Sequence, residues 1–103
     1  MAQVQAVVNQ PPAAAVEALR MAAARQGWAY DLARSEPWLE AFRKGASAFS
    51  WGATMTVQVV PGASPTETVF RFTTSESFAI TDWGRGRRAV QRLVQSLGGR
   101  VLP

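Results

Sequence analysis

The sequence predicts an α+β fold: a two-layer sandwich in which an antiparallel sheet of four to five strands carries two helices on one face, in the order β-α-β-β-β-β-α. Three observations predict it. Residues 13–26 are strong helix formers set between a proline pair and a glycine. Residues 53–78 alternate apolar and polar side chains on either side of a Pro/Gly turn, the period of two that a half-buried hairpin requires. Residues 83–97 return to helical spacing. A chain of 103 residues holds one core of this kind, so a single domain over 1–103 is expected.

The first strand is "QVQAVV", residues 3–8, with Val4, Ala6 and Val8 on one face. Pro11 and Pro12 end it and open the first helix, because the N–H that proline lacks would go unpaired in a first turn anyway. Val16, Leu19 and Ala23 share a face of that helix, and Gly27 stops it. "WAYDLA", residues 28–33, alternates Trp28, Tyr30 and Leu32 against smaller residues and reads as a second strand. Residues 36–44 fit either a short helix capped by Ser35 and closed by Gly45 or a strand with Leu39, Ala41 and Arg43 opposing Trp38, Glu40 and Phe42. "ATMTVQVVP" then directs Ala53, Met55, Val57 and Val59 to one side, and "TVFRFTTSESF" directs Phe70, Phe72 and Phe78 to one side. The opposite face of this hairpin carries Thr54, Thr56, Gln58, Arg71 and Thr73, polar enough to meet water. In the last helix Val90, Leu93, Val94 and Leu97 form one stripe that projects back to Gly86 and Trp83, while Arg85, Arg88 and Arg92 fall opposite and Arg87 sits at the border.

Composition narrows the chemistry. With no cysteine there is neither a disulfide framework nor a thiolate metal site, and with no histidine the commonest metal ligand and proton shuttle are missing. No cofactor or metal is expected. The seven acids contain no recognisable acid–base pair, so an enzyme is the least favoured class. Residues 1–76 balance six Lys and Arg against six acids, and the whole +4 imbalance comes from five arginines set against Asp82 in residues 77–103. No apolar run reaches the roughly 20 residues that span a bilayer, and a soluble, cytoplasmic protein is expected.

Two Trp-Gly pairs stand out. In "TDWGRGRR" Thr81 or Asp82 caps a helix, Trp83 anchors its first turn, and Gly84 and Gly86 permit close approach. The sharper reading is an anion site with Arg85, Arg87 and Arg88 as the clamp, which the charge of Asp82 opposes. In "SWG" Gly52 marks a bulge or bend and Trp51 covers the end of the core, or else offers a ring to a ligand. The Arg85, Arg88 and Arg92 stripe is a solvated helix face, or a surface for docking an acidic protein or other anionic partner.

A "SWG" entering a hairpin, Ser75 and Ser77 near the end of its second strand, and "DWG-x-x-R-R" opening a terminal helix together resemble a group of small bacterial domains of unknown function. The likeness covers residues 27–97 and implies a strand, not a helix, before "SWG", over residues 38–44. That group commonly continues "DWGKN" where this chain has "DWGRG", so a contact made by that asparagine is lost here. It implies a fold and no activity. The arrangement is also similar in outline to small helix-grip or TATA-binding-protein-like folds, an analogy of fold alone. Two functional classes follow: a non-catalytic interaction or binding module, and a binder of a small apolar ligand held between helices and sheet, with Trp28, Trp51 and Trp83 as liners.

Overall fold

Every alternating segment finds an antiparallel neighbour. The computed structural model describes residues 2–45, 52–76 and 85–103. Along the chain run β1 (Ala2–Val8), α1 (Pro12–Arg25), β2 (Ala29–Tyr30), a 3-10 turn (Leu32–Arg34), β3 (Leu39–Lys44), β4 (Ala53–Pro61), β5 (Thr68–Glu76), α2 (Arg85–Ser96) and β6 (Arg100–Val101). The sheet order is β2-β3-β4-β5-β1-β6. All of its pairings are antiparallel.

The α+β architecture is as the sequence predicts, with six strands in place of four to five. The added strand is β6. Two residues carry no readable period, and β6 exists because Gly98 (φ 67°) and Gly99 turn the chain out of α2 and lay it against β1. The second strand is shorter than the expected 28–33. Ser35 ends it: its N–H donates to the carbonyl oxygens of Asp31 (3.1 Å) and Leu32 (3.2 Å), and its hydroxyl donates to Asp31 O at 2.8 Å. These local bonds outcompete the ladder and wind Leu32–Arg34 into a 3-10 turn. Tyr30 and Leu32 therefore leave the core that the alternation assigned them, whereas Trp28 stays buried.

Residues 39–44 are a strand, and the expected facing holds: Glu40 and Phe42 oppose Val57 and Met55 on the core side. Trp38, expected to begin that strand, lies in the turn before it. The core gathers Val4, Ala6 and Val8 from β1, Met55, Val57 and Val59 from β4, and Phe70 and Phe72 from β5. Leu19, Ala22 and Ala23 of α1 and Val90, Leu93 and Val94 of α2 close over them, so both helices cover one face of the sheet. Phe78, expected on the same face, lies outside the described residues.

Gly99 makes the tightest join between helix and sheet. Its N–H donates to Val94 O at 2.9 Å, and a Cβ placed on it would stand 2.7 Å from Val7 O. A backbone oxygen cannot step aside as a side chain tip does, so Gly99→Ala is expected to lower stability by about 1–2 kcal/mol, measured by urea denaturation.

Candidate functional site

The segment Glu36-Pro37-Trp38-Leu39 is a tight turn in which the N–H groups of Glu36 and Leu39 each donate to the other's carbonyl, both at 2.9 Å. Pro37 supplies the fixed φ of the second position. Trp38 occupies the third with φ 68°, the left-handed geometry of a type II turn, where glycine or asparagine is the ordinary choice. Trp38 is the sole non-glycine residue with positive φ among those described. Its carbonyl accepts from Val59 N–H at 2.8 Å, which fastens the turn to β4. The indole gains little from burial, being 58% exposed.

A residue with a Cβ in this conformation costs about 1–2 kcal/mol. Truncating the side chain both ways isolates that cost from the ring. Trp38→Gly is expected to be more stable than Trp38→Ala by about 1 kcal/mol in denaturant titration, the reverse of the order found where φ is negative.

Beneath the indole an open groove of about 650 Å3 runs between α1 and the β2–β3 end of the sheet. Pro12, Val16, Tyr30, Leu32, Trp38 and Val59 give it apolar walls. Tyr30, Leu32 and Trp38 are three of the four exposed large hydrophobic residues among those described, and they meet at this one place. Val16 and Arg20 are one helical turn apart on α1 and so look the same way, toward the groove.

Arg20 reaches Glu40 there. Glu40 faces the helices because its register partner is the core residue Val57. Its carboxylate is nearly sealed, with 6% of the side chain exposed. Arg20 grips it with two donors: Nε donates to Oε1, and Nη2 donates to Oε2 at 3.1 Å. Nη2 also donates to the Tyr30 hydroxyl at 3.2 Å, while the guanidinium carbon stands 4.5 Å from the Tyr30 ring centre. The hydrogen bond to Glu40 raises the Arg20 pKa above its ordinary value, against partial desolvation. Tyr30 in turn meets Phe42 edge to face at 5.7 Å between ring centres. The polar end of the groove is thereby fixed as a guanidinium-carboxylate pair with a phenol beside it.

The open face of the sheet carries a second, polar depression of about 810 Å3. Its floor is set by register. Gln5, Arg71 and Gln58 form one row across three strands, and Gln3, Thr73 and Thr56 form the next. Pro37, Trp38 and Leu39 border one side, and Arg87, Leu102 and Pro103 the other. The polar side chains expected on this face are where the alternation put them.

Arg88 and Arg92 are exposed on α2, away from its core stripe of Val90, Leu93 and Val94. Arg85 and Gly86 stand in the first turn of that helix. Arg87, read as a border residue, is exposed and lines the polar depression. Gly52 directly precedes β4 with φ 97°, a bend that a side chain would strain. Trp51, Asp82, Trp83 and Gly84 lie outside the described residues.

One assignment is corrected. Trp28, expected to line a ligand pocket, is buried in the core and capped by Lys44, whose ammonium lies 4.7 Å from the ring centre. The rings beside the groove are Tyr30 and Trp38 instead. The signal for Trp38 was present as Pro-Trp directly ahead of an alternating run, a turn dipeptide with an indole where a small residue belongs. Nothing in the spacing linked Arg20 to Glu40, which only tertiary packing brings together.

Among the described residues no group of three acidic side chains could hold a metal ion, and no helix is long and apolar enough to cross a membrane. Compared with known proteins, the chain matches no family model and no curated protein.

Proposed function

We propose that the protein is a non-catalytic binding module that holds a small apolar ligand in the groove between α1 and the sheet. The observation that carries this reading is Trp38: an indole kept in a left-handed turn and left 58% exposed, where glycine would fit at lower cost. Strain without burial in return is accounted for when a ligand completes the contact. The groove volume lies within the range of small-molecule sites, and its mix of apolar walls with one fixed polar end is their usual make-up. Membership of the "SWG" and "DWG" group of bacterial domains belongs to the same proposal and adds no activity to it.

The test is a titration with medium-chain alcohols, fatty acids and small aromatic amides, followed by the methyl NMR signals of Val16 and Val59. Saturable shifts are expected in the native protein and are lost in Trp38→Gly, which keeps the turn and removes the ring. If none of the three ligand classes moves those methyls, or if Trp38→Gly binds as well as the native chain, the reading fails.

A further inference from the structure

The two rows that floor the depression on the open sheet face contain neither a lysine nor a carboxylate. They present three amides, two hydroxyls and one guanidinium. Arg71 is at the centre, with Gln5 and Gln58 in register on either side, so one charged fork is bracketed by two neutral groups that both donate and accept. Among the described residues Arg71 meets no carboxylate.

The surface is also shaped. From the ordinary strand spacing of about 4.8 Å, the four strands β3, β4, β5 and β1 span about 14 Å, with a second row about 7 Å away along the strands. The Pro37-Trp38 turn forms one wall, and the Leu102 segment, whose N–H donates to Gln5 O at 2.7 Å, forms part of the other.

We propose that this depression is a second binding site, for a short acidic saccharide. The sugar carboxylate lies on Arg71, where a planar guanidinium offers paired donors. Ring hydroxyls, each both donor and acceptor, meet Gln5, Gln58, Thr56 and Thr73. The exposed Trp38 indole borders the depression and gives an end ring an apolar surface to stack on. Arg87 at the far wall adds positive charge for an acidic chain, offset in part by Glu36 near the turn. A single-stranded nucleic acid is the poorer fit, because its bases need aromatic platforms and neither floor row contains one.

The experiment uses the full chain, trigalacturonate as the acidic probe, galactotriose as its neutral counterpart and inorganic phosphate as a charge-only control. Binding is followed by isothermal titration and by backbone amide shifts. Trigalacturonate is expected to bind and to perturb Gln58, Arg71 and Thr73, and Arg71→Gln is expected to weaken it by about tenfold or more. Galactotriose, which has no carboxylate for Arg71 to hold, is expected to bind the native chain about tenfold or more weakly than trigalacturonate, and equal affinity for the two overturns the proposal. Arg71 is exposed on its strand, so the substitution leaves the fold intact. Absence of binding by trigalacturonate, equal affinity in Arg71→Gln, or phosphate producing the same shifts at the same concentration overturns the proposal.

Discussion

Phe70→Ala is expected to destabilise the protein by about 3–5 kcal/mol. Phe70 is fully buried, and its ring meets Phe72 edge to face at 5.8 Å between centres. It also opposes Val59 on β4 and Ala6 on β1, so it sits in the middle of the sheet beneath both helices. Removing the ring forfeits its transfer free energy and leaves a cavity walled by three strands. Their ladder hydrogen bonds prevent them from collapsing inward, which places the cost at the upper end for such changes. A domain of this size holds about 5–15 kcal/mol in total, so the variant stands near the limit of folding. Urea titration reads the loss as a lower midpoint with an unchanged slope. Gln58→Ala on the open face of the adjacent strand serves as the control, with a change within about 0.5 kcal/mol.

That contrast between neighbouring residues is the part of the fold most legible in the sequence. Period two along 53–61 and 68–74 separates Met55, Val57, Phe70 and Phe72 from Thr56, Gln58, Arg71 and Thr73, and a sheet with one covered face leaves no other register open. Helix α1 was equally plain, because the proline pair and Gly27 bracket it on chemistry alone. What the sequence concealed depends on partners remote along the chain. β6 is two residues long and has no pattern of its own. Residues 28–33 alternate as a strand does, but the hydroxyl of Ser35 takes Asp31 O and accepts from Ala41 N–H, so the pairing goes no further than the bond from Asp31 N–H to Ala41 O. The candidate site was concealed for the same reason. The alternation set Glu40 on the face of Phe42, but nothing along the chain named Arg20 as the partner that makes its burial tolerable. Trp38 was read as the first residue of a strand, since an indole in an exposed left-handed turn runs against both its propensity and its hydrophobicity.

Arg20→Leu isolates that pairing and is expected to cost about 2–3 kcal/mol. The leucine keeps the apolar stem of the helix residue, so the loss measures the stranded Glu40 carboxylate, sealed from water on the core side of β3. Breaking a fully buried pair costs about 3–5 kcal/mol; the smaller figure applies because half of the Arg20 side chain is exposed and solvent already screens it. The double variant Arg20→Leu with Glu40→Leu recovers most of the loss, since removing both charges leaves nothing to desolvate, and the cycle yields the coupling directly. The pH dependence has a definite sign. Arg20 has its pKa raised, so its contribution persists throughout the acid and neutral range and is lost only on rising through that raised value. Denaturation of the native, single and double variants at neutral pH completes the cycle. A coupling energy near zero would mean that Arg20 contributes through its stem over Tyr30, and the polar end of the groove would then be a packing feature without an electrostatic role.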